Sequence, residues 1–227
     1  MTIGIYTAME KEAKSFFVGS DFVTQKIGAY TFYKFGLSGA DVVLCVPPYV
    51  GEITAAAGTQ MLIDRFAVDI VLNFGVVGAL TEQASQMTMA YVGFVTHYQM
   101  DTSAVDDFDV GYYDVFATKT IPANAQLIDL AKSVVDLPVA GCASGDKFVA
   151  DPTEKSQLAD RFGAQICDME AAGILITCKY ANVPCLFVKC IADTLFGGKD
   201  EYWDKATAVT GKFRAVAEQI CKAYIAG

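Results

Sequence analysis

The chain has 227 residues, 53% of them apolar and 19% charged, which excludes disorder and favours one domain over 1–227. Lys and Arg number 17 against 26 Asp and Glu, and the resulting charge of -9 excludes a broad basic face for nucleic acid. One histidine, His97, excludes a His-rich metal site, and three arginines (Arg65, Arg161, Arg214) are too few to clamp phosphate from several sides.

Thr2–Ala8 reads as a strand, followed by a helix from Glu10. Phe22–Ile27, Tyr30–Gly36 and Asp41–Val46 read as strands at hairpin spacing. Gly51–Phe66 reads as a helix, with small residues from Ala55 to Gly58 suited to close packing. Val68–Phe74 predicts a buried strand that runs into a glycine-containing turn, GVVGAL. Tyr91–His97 predicts a strand, Ala123–Val135 a helix, Pro138–Ser144 a strand and Glu154–Phe162 a helix. Gln165–Met169 predicts a short strand feeding the helix Glu170–Tyr180. Val183–Ala192 is the last buried strand, and Tyr202–Ile225 closes the chain as one helix. Near-continuous apolar strands alternating with helices mean an α/β fold, with helices covering a sheet.

The seven cysteines form no C-x-x-C pair, and most lie in apolar runs, as in PCLFVKCIAD. Buried thiols in a reducing compartment explain this better than disulfides or zinc. The opening MTIGIYTAMEKEAK has no basic lead, and no apolar run reaches the roughly 20 residues of a membrane span. A cytoplasmic location, with no membrane attachment, is the expectation.

Three strand ends carry acids: Glu10 and Glu12 after the first, Asp168 and Glu170 after Gln165–Met169, Asp193 after the last. Any one of them also suits a helix N-terminus, where negative charge complements the macrodipole. Three at the ends of strands in one sheet point to a crevice. Carboxyls without His or Arg can accept from sugar hydroxyls, activate water and deliver a proton if one is held neutral. That set suits glycosidic cleavage through an oxocarbenium-like transition state.

Five segments carry a resemblance: IGIYTAMEKEA (I-G-I-x-x-A-M-x-x-E), NFGVVGAL (N-x-G-x-A-G-x-L), SGDKFV (S-G-D-x-F-[IV]), CDMEAAG (V-x-M-E-x-x-A) and IADT (I-S-D). In this order and spacing the chain resembles the nucleoside phosphorylase/nucleosidase superfamily. Within it, the chain resembles the 5'-methylthioadenosine/S-adenosylhomocysteine nucleosidases. The resemblance implies a three-layer architecture, a central mixed twisted sheet flanked by helices. It implies a purine nucleoside as the small-molecule partner, no metal or organic cofactor, a homodimer, and a place in nucleoside catabolism and methionine salvage. By matching position, Glu12 would activate the attacking water and Asp193 would protonate N7 of the purine. Glu170 would bind the ribose hydroxyls, with Met169 packing on the ribose. Phe148 would stack on adenine and the Val149 backbone would read its edge. Gly78 would let a turn approach the substrate, and Trp203 or Tyr202 would cover the 5' substituent. His97 reads as structural and Glu10 as a solvated helix start.

The departures fall in the turns. Pro48-Tyr49-Val50-Gly51-Glu52 stands where the family has S-G-x-G-K, Val76 where it often has serine, Lys189 where arginine is common, and Ala192 in place of serine. The changes to the turns remove polar capacity for an anion, which favours water over phosphate as nucleophile. Three readings stay open: a hydrolase of 5'-modified adenosine nucleosides, a phosphorylase or a hydrolase of another nucleoside such as futalosine, and an inactive nucleoside-binding relative.

Overall fold

The computed structural model describes the backbone of residues 1–227 and all side chains except those of 203, 204 and 206–209. The chain opens with β1 (Thr2–Tyr6), α1 (Glu10–Phe17), β2 (Val23–Ile27), β3 (Tyr30–Leu37) and β4 (Ala40–Val46). It continues with α2 (Glu52–Phe66), β5 (Ile70–Ala79), α3 (Glu82–Ser85), β6 (Met89–His97), β7 (Ile121–Pro122), α4 (Ala125–Val134) and β8 (Val139–Ser144). It ends with α5 (Pro152–Phe162), β9 (Ile166–Asp168), α6 (Ala171–Ala181), β10 (Cys185–Asp193), α7 (Lys199–Thr210) and α8 (Phe213–Ala226).

The ten strands form one mixed sheet. β5 is its axis. One edge of β5 pairs with β1 along Ile70–Asn73 and with β9 along Gly78–Ala79, while the other edge pairs with β10. β10 pairs with β6, β6 with β8, and β8 with β9, so these strands close a ring with β5. β4, β3 and β2 extend the sheet beyond β1. The twist of a sheet makes such closure possible.

Strand alternation sends side chains to both faces, and both faces are apolar. Ile70, Leu72 and Phe74 of β5 join Leu186 and Val188 of β10 in a core under α1, α4 and α8. Val71 and Val77 of β5 join Phe187 and Ile191 in a second core under α2 and α6. The result is the expected three layers. The seven cysteines are buried thiols. Among the described residues, no helix is long and apolar enough to cross a membrane.

Two expectations are corrected. GVVGAL is not a turn: β5 runs unbroken to Ala79, with every residue buried. A fully buried strand between two paired neighbours can carry glycine where side chains approach from the facing elements. The closing helix is also not continuous: it breaks at Gly211–Lys212 into α7 and α8, because glycine is a poor helix former.

Candidate active site

Among the described residues, the buried charged side chains are Glu12, Glu52, Lys155, Asp168, Glu170, Lys189 and Asp193. Burying a charge is costly unless it is paired, so charges collect where they can share partners. These seven collect around one pocket of about 60 Å³, which Glu12, Asp168, Glu170 and Asp193 line directly.

Glu12 lies in the first turn of α1. Its Oε2 accepts the N–H of Ala8 at 2.7 Å and of Met9 at 3.1 Å, and its Oε1 accepts the N–H of Val76 at 2.9 Å. The reach back to Met9 is the return half of a capping box. Three backbone donors thus fix one carboxyl between the end of β1 and the middle of β5. Burial pushes Glu12 up from the ordinary carboxylate range, and those donors, together with the Lys189 ammonium, pull against it.

Asp168 ends β9 and faces Lys189 of β10 at 2.6 Å, both nearly fully buried. Burial alone would raise Asp168; the Lys189 charge and its hydrogen bonds hold it below the usual range. Asp168 Oδ1 also lies 2.6 Å from Ser144 Oγ, which hydrogen-bonds Glu52 Oε1 and accepts the Ala172 N–H at 3.1 Å. A hydroxyl carries one hydrogen. It cannot donate to two carboxylates, so one of the two acids is protonated. Asp168 is held ionised by Lys189, which leaves the proton on Glu52. Burial, and then the Asp168 charge, push Glu52 up to about 8.

Glu170 caps the start of α6 and reaches across to α2, where its Oε1 accepts the Gly51 N–H at 3.0 Å. Asp146 accepts the next donor, the Glu52 N–H, at 2.7 Å. Gly51 has φ 116, a region that L side chains avoid, and a Cβ there would stand 2.7 Å from Asp146 Oδ1. The N-terminus of α2 is therefore occupied by two of the protein's own carboxyls. Burial, then the Asp168 charge, push Glu170 up to about 8.

Asp193 ends β10, with its carboxyl against Gly78 of β5. A Cβ on Gly78 would meet Asp193 Oδ1 at 3.0 Å and Cys167 Sγ at 3.3 Å. Gly78 lies in β5 and not in a turn; it lines the pocket, and its missing side chain also leaves room for the acid. Asp193 Oδ2 accepts a hydrogen bond from Lys155 of α5. Burial pushes Asp193 up, and the Lys155 hydrogen bond and charge oppose it.

Phe148, Val149 and Met169 line the same pocket as Gly78 and the acids. The Tyr202 ring meets Phe148 edge-on at 5.4 Å. The side chain of Trp203 lies outside the described residues. Next to the small pocket a second cavity of about 880 Å³ opens between Met9, Tyr33, Pro48, Tyr49, Phe148 and Tyr202. Glu10, exposed at the start of α1, stands at its wall. His97 lies apart, with Nδ1 2.8 Å from Tyr113 Oη.

The profile of the phosphorylase superfamily matches residues 2–226. The chain belongs to the phosphorylase superfamily. Among its curated relatives, the 5'-methylthioadenosine/S-adenosylhomocysteine nucleosidase of Exiguobacterium sp. is 30% identical over 203 residues, 86% of this chain and 85% of the relative. The enzyme of that name from Maridesulfovibrio salexigens is 29% identical over 205 residues, 85% and 86% of the two chains. By this kinship the superfamily member described here is an enzyme of the N-glycosyl hydrolase type. Two solved structures share its fold. Futalosine hydrolase of Helicobacter pylori has a TM-score of 0.90 at 24% identity, covering 97% of each chain. The nucleosidase of Campylobacter jejuni has a TM-score of 0.90 at 21% identity, covering 98% of this chain and 99% of that one.

All the predicted site residues whose side chains are described come together at one pocket. Four polar partners escape a sequence reading: Lys155, Ser144, Glu52 as a neutral acid, and Lys189 as the counter-ion of Asp168. Lys155 had a signal, since it shares a helix face with Leu158 and Phe162 at the spacing i, i+3, i+7.

Proposed function

We propose that the protein is a phosphate-independent N-ribosyl hydrolase of 5'-modified adenosine nucleosides, methylthioadenosine and S-adenosylhomocysteine among them. It releases adenine and the 5-substituted ribose. The observation that carries this reading is that the groups able to bind an anion at the pocket are already taken by the protein's own carboxyls. The two buried ammonium groups around the pocket, Lys155 and Lys189, are already paired with Asp193 and Asp168, so neither is left over to bind a phosphate anion. The two N–H groups that begin α2, a natural anion site, already bind Glu170 and Asp146. A neutral water meets neither obstacle.

In this reading Asp193 transfers a proton to N7 of the purine, which turns the base into a neutral leaving group. Glu12 accepts a proton from the water that attacks C1'. Its three backbone donors hold it in place as charge develops at the sugar. Glu170, with Met169, holds the ribose hydroxyls. Phe148 and the Val149 backbone hold the base, and Gly78 leaves Asp193 its place. The apolar cavity beyond Met9 and Phe148 supports a large 5' substituent, with Tyr202 at its wall; the alternative cover, Trp203, lies outside the described side chains.

We also propose one domain over 1–227, since a single sheet carries the chain. The seven buried thiols favour a reducing, cytoplasmic setting. A homodimer, in which a second copy helps to close the large cavity, is supported by Tyr49 and Ile53, 75% and 80% exposed where α2 begins. A single sedimenting species of monomer mass would count against the dimer.

Product analysis tests the activity. Purified protein is incubated with methylthioadenosine, S-adenosylhomocysteine, futalosine and inosine, and the released bases are separated. Adenine from the first two substrates supports the reading. Release of another base alone, or tight binding with no release over hours, contradicts it.

A further inference from the structure

Lys155 is fully buried on α5, where an ammonium group is costly unless each of its donors is satisfied. All three are. Nζ donates to Asp193 Oδ2, to the Thr194 carbonyl at 2.7 Å and to the Gly197 carbonyl at 3.2 Å. One cation thus ties a carboxyl at the end of β10 to the backbone of the loop that follows. A leucine or methionine would fill the same space on α5 without desolvating a charge, so packing alone does not account for the lysine.

Asp193 Oδ2 is engaged by Lys155, its Oδ1 is the oxygen nearer the face of Gly78, and both Asp193 and Gly78 line the pocket. We propose that Lys155 is the positioning residue of the general acid: it holds one oxygen of Asp193, presents the other to the nucleoside, and tunes the acid's proton affinity through its charge. The proposal rests on the nucleosidase reading above. In the step itself the Asp193 O–H bond breaks and the purine N7–H bond forms. The electron pair of the ribosidic bond passes to the base, and the three N–H bonds of Lys155 stay intact.

Other groups face Asp193 as well. From α7 come Glu201 and Lys205, which pair with each other, and Tyr202; from β9 comes Cys167; from β5 only the main chain of Gly78. Burial raises Asp193, and Lys155 is the foremost group pulling it back. Removing that charge therefore raises the pH at which Asp193 loses its proton.

The test follows the Asp193 carboxyl carbon by NMR in protein labelled with carbon-13 aspartate, without substrate. Its resonance is assigned by its absence from Asp193→Asn. In Lys155→Met and Lys155→Gln the midpoint should move up by about one to three pH units. Lys155→Arg should keep it near the wild-type value. The glutamine variant retains a donor for the Thr194 carbonyl and serves if the methionine variant does not fold. An unchanged midpoint in the neutral variants overturns the proposal. Since no turnover enters this titration, failure of the wild-type protein to release adenine would reject the nucleosidase reading separately. Where adenine is released, the alkaline limb of kcat should shift upward in the same variants and not in Lys155→Arg.

Discussion

In the proposed reading Asp193 holds a proton to act as an acid, yet an ammonium group touches it. Burial decides the direction, and Asp193 lies above the ordinary aspartate range. In the same reading Glu12 has the opposite task; burial pushes it up as well, and three N–H donors that favour its ionised form pull it back. Two acids in one pocket thus receive different partners, backbone N–H groups for Glu12 and a lysine for Asp193. Asp193→Asn and Glu12→Gln should each lower turnover by roughly 10² or more, with melting behaviour near that of the wild type. Activity close to normal in either variant would remove that residue from the mechanism. Gly78→Ala places a methyl 3.0 Å from Asp193 Oδ1. Turnover should fall by about 10² through displacement of the acid, while nucleoside binding by calorimetry weakens less. These acids were legible in the sequence because each follows an apolar run at a strand end. The partners of Lys155 and Ser144 are not legible there, since they lie 38 and 24 residues away. Only the sheet brings them together.

At the scale of elements, the strands and most helices follow from apolar period and turn residues, and the errors have local causes. α5 begins two residues earlier than the apolar pattern predicts, because Asp151 caps it and Pro152 takes its first position. β5 carries two glycines without turning, because Glu12 and Lys189 crowd Gly75 while Asp193 crowds Gly78. The junction of α2 and α6 makes its own predictions. Gly51→Ala should cost about 1–3 kcal/mol of stability by chemical denaturation, from its left-handed φ and the contact with Asp146. The Glu52 proton links stability to pH. Its folded value of about 8 exceeds the unfolded one, so its contribution is whole at low pH and is lost as pH rises towards 8. Glu52→Gln removes this dependence while leaving a donor for Ser144. Stability should then fall less steeply between pH 5 and 8, by up to about 1.4 kcal/mol per pH unit. Equal slopes in the two proteins would place the proton elsewhere.

For the whole molecule, a charge of -9 first reads as a bar to nucleic acid, and most of it remains on the surface. The inward part is what sets chemistry: buried carboxyls outnumber buried ammonium groups around one pocket, and the start of α2 is filled from within. The shortage of arginine pointed the same way, though it did not reveal that the anion site would be closed by the protein's own acids. In the proposed reading, the paired ammonium groups and the closed anion site make phosphate a poor nucleophile. The direct measurement is the rate of adenine release from methylthioadenosine with and without inorganic phosphate, with the sugar product identified by mass. Equal rates and free methylthioribose are predicted. A strict need for phosphate, with a ribose-1-phosphate as product, would contradict the account.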